Sequence, residues 1–450
     1  MVWYALGFNL GLCRMILFLY NVLFAVAFVL YLPIMVFKLR RRGGVTRQYW
    51  QRFGRFTTAE KADLASLVKP VWIHACSVGE TVAALTFIRR WQEREPETQF
   101  VLSTTTTTGH ALAAKKKPES VRLIYCPLDF YPFVRATLEA VNPSLFVIFE
   151  VEIWPNLILL SQARGIPLAL ANGRMSDSSA RGYAKHRWLF QRLFSAFSSL
   201  CVQSQDDAER VRRVLGADAE VHACNTMKFD QIPDSNQDAG ASQAIQAELD
   251  RAFGPAERLL FVAGSTHGGE EELMAETVRD LRAEIPVLRM VLVPRHVERT
   301  PEVEAILKAR GLSYRLLKDD TADADERVDV LVVNTTGELM NYYAAADVVF
   351  VGKSLGGNEG GHNIIEPAIF GKAILHGVNM QNFRDVARIF READAAVELA
   401  EDSDLAPELR RLLSDEAARA ELAQRSRGVV ESQRGAIDHT LDLVIPLHRS

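Results

Sequence analysis

After residue 60 the chain repeats one pattern: a short apolar run, a polar or glycine-bearing turn, then an amphipathic stretch. Pro70–Ala75 reads as a strand and Glu80–Arg94 as the helix that follows. Gln99–Ser103, Val121–Tyr125, Leu145–Phe149, Ile166–Ala171 and Leu200–Gln203 continue the strands, with a helix opening at Gly109. Such alternation predicts a parallel sheet with helices on both faces. Ile232–Phe253 is small and polar, which predicts a linker over 236–254. A second series has strands at Leu259–Ala263, Val287–Val293, Asp329–Val333, Val348–Val351 and Ala373–Leu375. Its helices fall at Glu270–Ala283 and Pro301–Arg310, and Ala406–Val444 reads as helices able to pack back across the first half. Two doubly wound α/β domains, 43–235 and 255–450, are therefore expected to face each other across a cleft. Sheets of that kind bind ligands at the carboxyl ends of their strands.

The start of the chain breaks the pattern. Met15–Phe37 carries no charge over 23 residues. A helix of that length, at ~1.5 Å per residue, would cross a hydrocarbon core of about 30 Å. Lys38-Leu39-Arg40-Arg41-Arg42 follows at once, so 1–42 reads as a membrane anchor with a basic flank and the rest as cytoplasmic. The length of the run and the lack of a small-residue cleavage site argue against a cleaved signal peptide. Arg14 and Pro33 leave a monotopic or re-entrant seat open beside a single pass. In either case the basic stretch is expected against anionic inner-membrane lipids.

Composition narrows the classes further. A chain of 450 residues exceeds one ordinary core and fits two domains. Residues 1–58 hold eight basic side chains and no acid, yet the net charge is −4, so the bulk of the chain is acidic. An acidic bulk argues against nucleic acid as a partner. The five cysteines are scattered, without metal-ligand spacing, which fits free thiols and no metal site.

Candidate chemistry sits where strands give way to helices. Gly264-Ser265-Thr266-His267-Gly268-Gly269-Glu270 offers backbone N–H groups to an anion, or is an ordinary capped helix start. Arg295, after Pro294, could clamp a phosphate or be a surface residue. Asn334–Leu339, with Thr336, Gly337 and Glu338, leaves another strand and could contact a base or ribose, or be another capped turn. Gly356–Pro367 is glycine-rich, which suggests close approach to a ligand, with Gly361 in the run. In it Asn363 and Glu366, flanking Ile364 and Ile365, either bind ribose hydroxyls or form a capping box. In the first half, Cys76-Ser77-Val78-Gly79-Glu80 places Glu80 as a general base at a helix N-terminus, or as its cap. Glu150 and Glu152 could pair for acid–base work, bind a cation, or be helix N-terminal residues before Pro155, and Arg174 follows a strand and could shape the acceptor side. The hydroxyl-rich run around Thr106 could bind sugar hydroxyls or be a capped turn.

Together these segments, from Trp72–Glu80 through Gly360–Pro367, resemble the 3-deoxy-D-manno-octulosonic acid (Kdo) transferases of lipopolysaccharide assembly. The resemblance implies a GT-B fold of two facing Rossmann-like domains, the first for the acceptor and the second for a CMP-sugar donor. It implies inverting transfer of Kdo from CMP-Kdo to a lipid A precursor (lipid IVA) without a required metal or cofactor. Glu80 matches the family's general base. CMP contacts fall on Pro294, Arg295, Thr336, Gly337, Glu338 and Asn363 through Glu366, with Ser77, Gly79, Thr106, Glu150, Glu152, Arg174, Ser265 and Gly361 as further donor or acceptor contacts. Two other readings remain: a membrane-side transferase using a UDP-sugar and a polyprenyl acceptor, and an anchored nucleotide-binding scaffold without catalysis.

Overall fold

A computed structural model describes residues 15, 17–30, 47–232, 239–318 and 327–449. The chain divides into two compact units, residues 1–231 with 435–450, and residues 232–434.

Unit 1 is a seven-stranded parallel sheet in the order β3-β2-β1-β4-β5-β6-β7. The strands are β1 (Val71–Ala75), β2 (Phe100–Thr104), β3 (Val121–Tyr125), β4 (Leu145–Phe149), β5 (Leu168–Gly173), β6 (Ser199–Val202) and β7 (His222–Ala223). β1 pairs with β2 through Val71↔Phe100 and with β4 through Val71↔Leu145. The residues of β1, β2, β4, β5 and β6 are all buried, which is why these strands read as unbroken apolar runs rather than alternating ones. One face packs Trp72, Phe146, Leu157 and Phe194, and the other packs Phe87, Trp91, Phe100 and Phe149.

Unit 2 repeats the plan in the order β10-β11-β9-β8-β12-β13-β14. Its strands are β8 (Leu259–Thr266), β9 (Leu288–Pro294), β10 (Tyr314–Leu316), β11 (Val330–Val332), β12 (Val348–Val351), β13 (Ala373–Gly377) and β14 (Val397–Leu399). In each sheet the first strand in sequence lies inside, and the order reverses beside it: between β1 and β4, and between β8 and β12. Those reversals splay the loops at the carboxyl ends and mark where a site can open.

Three features differ from the sequence reading. The stretch expected as a linker is mostly the helix Ala239–Phe253, part of unit 2. Alanines there hold helix propensity, and Leu249, Ala252 and Phe253 are buried. The final helix, Ala436–Arg449, belongs to unit 1, not to the second half where the 255–450 division placed it. Its Ile437, Leu441 and Val444 pack on the face that holds Phe87 and Trp91. Asp230 accepts from Gly435 N (2.8 Å) and Ile437 N (2.7 Å), satisfying amides at its start.

The third concerns the expected membrane span. Among the described residues no helix is long and apolar enough to cross a membrane. The helix over 17–30 covers part of the expected 15–37 run, and 31–37 lie outside the described residues. One side of this helix is tied to unit 1. Tyr20 Oη donates to Asp129 at 2.9 Å, and the amides of Asn21 and Asn156 exchange bonds of 2.9 and 3.2 Å. Phe24 stacks on Phe130 at 5.6 Å. The opposite side leaves Phe18 67%, Leu23 69% and Leu30 73% exposed. Over 17–30 the uncharged run is thus a two-faced helix, with Tyr20, Asn21 and Phe24 against the protein and an apolar side outward.

Replacing Asp230 with Ala is expected to cost about 1–2 kcal/mol, the worth of a helix cap. Hydrogen exchange should show the amides of 436–449 opening faster, with those of unit 2 unchanged.

Candidate functional site

In unit 1, β1 ends at Ala75 and the helix Val78–Arg94 begins three residues later. Ser77 caps it. Its Oγ accepts from Glu80 N at 3.3 Å, while Glu80 Oε2 and Oε1 accept from Cys76 N (2.8 Å) and Ser77 N (3.1 Å). The capping alternative for Glu80 is therefore realised: the side chain is buried, 8% exposed, and its direction is fixed by two backbone donors. Each carboxylate oxygen keeps a second lone pair, so capping leaves it able to accept a further proton donor.

Glu150 follows β4, across the reversal from β1, with a left-handed backbone (φ 55°) that a side-chain-bearing residue adopts at a cost of order 1 kcal/mol or more. Burial first, then the charge of Glu80, push its carboxyl up to about 7, against the pull of Lys228 and Arg174. Burial, opposed by the indole of Trp154 and reinforced by Glu80, raises Glu152 as well. Its Oε2 accepts from Trp154 Nε1 at 2.8 Å. Unit 1 thus gathers Glu80, Glu150 and Glu152 with Arg174 and Lys228 at one end of its sheet. Lys228 lies in the short turn Met227–Phe229 and escaped the sequence reading, since no glycine loop or periodicity flags it. Thr106 caps the helix Thr107–Lys116, its Oγ1 accepting from Gly109 N (3.1 Å) and donating to Cys76 O (3.0 Å). Gly79 lies in the first turn of the helix that Ser77 caps.

In unit 2 the glycine loop after β8 holds an anion, but one of its own. Glu270, fully buried, accepts from His267 N (2.9 Å), Lys353 N (2.9 Å), Ser354 N (2.9 Å) and Leu355 N (3.1 Å). Burial raises its carboxyl to about 7 despite these four donors. Of the amides read as an external anion cradle, that of His267 is thereby occupied, and that of Gly269 is taken by Glu272 at 2.8 Å. Glycines expected to approach a ligand instead approach each other: a Cβ on Gly269 (φ +88°) would lie 2.6 Å from Gly356 O. Ser265, at the end of the same strand, also adopts a left-handed φ of 54°, and its carbonyl lies 3.2 Å from His267 Nδ1.

Arg295 is exposed, directly after Pro294 at the end of β9, with its N–H bonded to Thr266 O at 3.0 Å. Burial raises Glu366 to about 7, opposed by Asn363 and by the charge of Arg295. Asn363 Oδ1 accepts from Ile365 N at 3.2 Å, and Ile364 and Ile365 are buried. The capping box is not formed, because the turn closes on Ile365 and leaves Glu366 to pair with the Asn363 side chain. Beside Arg295 stand three imidazoles that the sequence reading passed over. His267 lies 5.6 Å from His296 and 5.4 Å from His362, centroid to centroid. Burial, then His267 and Arg295, hold His362 down at about 4, and its Nε2 is buried without a partner among the described residues. Gly361, with φ +67°, precedes it where a Cβ would strike Met380 Sδ. Thr336 and Glu338 line a cavity of about 820 Å³ with Lys318, Asn334 and Tyr342, and Gly337 sits between them at φ +97°. Among the described residues no group of three or more His, Cys, Asp or Glu is disposed to hold a metal ion.

Known proteins resemble this chain throughout. The profile of the family described as 3-deoxy-D-manno-octulosonic-acid transferase (kdotransferase) matches residues 47–231. The 3-deoxy-D-manno-octulosonic acid transferase of Bordetella pertussis is 32% identical over 419 residues, covering 90% of this chain and 93% of that one. The protein of the same name from Haemophilus influenzae is 30% identical over 380 residues, 84% of this chain and 86% of that one. A glycosyltransferase structure from Rickettsia africae ESF-5 aligns with a TM-score of 0.55 at 10% identity, over 85% of this chain and 99% of that one. The fold is thus of the α/β GT-B type, with two parallel sheets.

Glu150 yields a pH test. Its folded pKa of about 7 lies above the ordinary carboxylate value of 4.5, so folding takes up a proton between those limits. Its contribution to stability is complete below pH 4.5 and is lost as pH rises through 7. Glu150→Gln should flatten the fall in denaturation midpoint between pH 4.5 and 7 relative to the parent. An unchanged slope would place the Glu150 carboxyl in solvent.

Proposed function

The chain belongs to the 3-deoxy-D-manno-octulosonic acid transferase family of glycosyltransferases, which serve lipopolysaccharide biosynthesis, and we propose that it moves Kdo from CMP-Kdo to a lipid A precursor, lipid IVA. The observation that carries this reading is a fixed carboxylate, Glu80, at the reversal of the unit 1 sheet beside Glu150.

Unit 2 takes the donor. Arg295 neutralises phosphate charge, Asn363 and Glu366 accept from ribose hydroxyls, and the cavity beside Thr336, Gly337 and Glu338 takes the cytosine. Unit 1 takes the acceptor. Glu80 accepts the proton of an acceptor hydroxyl, the oxygen attacks the anomeric carbon from the face opposite the leaving group, and the bond to the CMP phosphate breaks. CMP departs with the electron pair, its charge held by Arg295. Glu150, holding a proton near neutrality, sits where a second proton-bearing group helps to set the charge around Glu80.

The helix over 17–30 seats the enzyme on the inner membrane, its exposed Phe18, Leu23 and Leu30 entering the headgroup boundary while Asn21 and Tyr20 hold the protein. Leu23→Glu with Leu30→Glu should release the protein from anionic liposomes in sedimentation, and continued binding would sink the seat.

Glu80→Gln should reduce transfer by at least ~10³-fold, the scale of a positioned general base. Mass analysis of lipid IVA incubated with CMP-Kdo reads the product, and titration with CMP reads unit 2. Retained turnover removes Glu80 from the role, and lost CMP binding shows that the substitution damaged more than the base.

A further inference from the structure

Arg52 carries a charge that the described structure leaves unanswered. It is only 8% exposed, and no acid of the described residues pairs with it. None of residues 1–58 is acidic, so its own end of the chain cannot supply one. Its guanidinium lies 4.9 Å from the ring centres of both Tyr49 and Tyr125. Such contacts return about 0.5–2 kcal/mol each, whereas sequestering an unpaired ion costs several. Its Nε is buried without an acceptor among the described residues. Folding alone gives no reason to keep an uncompensated cation here.

The guanidinium points at a second feature of the same sign. Arg52 Nη2 donates to the carbonyl of Thr105, the residue before the cap of helix Thr107–Lys116. Thr106 Oγ1 takes the Gly109 amide, but the amides of Thr107 and Thr108 bond to no acceptor among the described residues, and both residues are exposed. First-turn amides carry the positive end of the helix dipole. The nearby imidazole cannot compete for an anion: His110 stacks on Tyr125 at 3.8 Å, and burial, then Arg52, keep it neutral. The loop also touches the proposed base. Thr106 N donates to Cys76 O at 3.2 Å, and Cys76 N donates to Glu80.

We propose that Arg52 and the first turn of Thr107–Lys116 form an anion site in unit 1 that receives a phosphate monoester carried by the sugar-lipid acceptor. This deepens the reading above and rests on it. The phosphate supplies the missing counter-charge, and its attachment to the sugar fixes which hydroxyl lies near Glu80. The donor's phosphate is assigned to unit 2, so the two phosphates are read by separate cations.

The test compares bisphosphorylated lipid IVA with the same lipid after phosphatase treatment, for the full-length parent, Arg52→Gln and Arg52→Lys. In the parent, dephosphorylation should raise the acceptor KM at least tenfold. Arg52→Gln should raise KM for the phosphorylated lipid to a similar degree, leave KM for the dephosphorylated lipid and for CMP-Kdo unchanged, and change kcat less. Arg52→Lys, which keeps the charge without the fork, should fall between. A parent indifferent to phosphate, or an Arg52→Gln that weakens both lipids equally, overturns the proposal in favour of a structural arginine. Should Arg52→Gln fail to fold, the parent decides alone: glucosamine 1-phosphate should compete with the acceptor and glucosamine should not, and equal competition overturns the site. If no lipid is glycosylated at all, the functional reading fails instead, and inorganic phosphate binding by the parent against Arg52→Lys still tests the anion site.

Discussion

The reversal of strand order in each sheet forces one problem on the chain, and a buried carboxylate meets it twice. Where neighbouring loops turn in opposite directions, backbone amides are left without partners, and an orphaned amide costs about 1–3 kcal/mol. In unit 1 Glu80 collects the amides of Cys76 and Ser77. In unit 2 Glu270 collects one from its own loop and three from the loop after β12. Both are helix-opening glutamates after the first strand of their sheet. They differ in what the anion joins. Glu270 locks two loops together and spends both oxygens on them, whereas Glu80 ties only its own turn. The difference in remaining lone pairs separates a structural carboxylate from one able to take a proton.

The parallel sheets were legible because strands buried on both faces leave long apolar runs; Val121–Tyr125, Leu145–Phe149 and Val348–Val351 match to the residue. β7, β10 and β14 were not, since two or three residues at a sheet edge carry too little pattern to register. The linker expectation failed because small polar residues are equally at home on a solvated helix, and Ala239–Phe253 gains its order from Leu249 and Phe253 underneath. The membrane expectation counted apolar residues without their direction. Tyr20, Asn21, Phe24 and Phe28 recur on one side of the turn, and it is that side which meets Asp129, Asn156, Phe130 and Phe53.

Motifs were easier to find than to interpret. The glycines of Gly264–Glu270 and Gly356–Gly361 mark tight backbone, as any reading of glycine would say. Whether tightness serves a ligand or another loop depends on partners far away in sequence: Gly269 is pressed by Gly356, and Glu270 by Ser354. The same holds for titration. Nothing local distinguishes Glu150 from Glu152, yet burial, then the neighbouring Glu80, gives the first a carboxyl poised near neutrality.

Charge ties these points together. The chain is acidic as a whole, yet the ligands proposed for it are phosphates and a sugar acid, so binding cannot rest on bulk attraction. It must rest on cations kept apart from the surrounding acids. Many arginines of the described residues fail that condition: Arg90, Arg94, Arg299, Arg310 and Arg410 all hold carboxylates within 3.1 Å. Arg52 meets it by burial among tyrosines in a segment that contains no acid. Arg295 meets it differently, exposed beside a Glu366 whose burial favours the neutral acid and so leaves the guanidinium charge for another partner. An arginine answered by a fixed carboxylate must give up that bond before it can take a phosphate, whereas these two have no carboxylate among the described residues to give up.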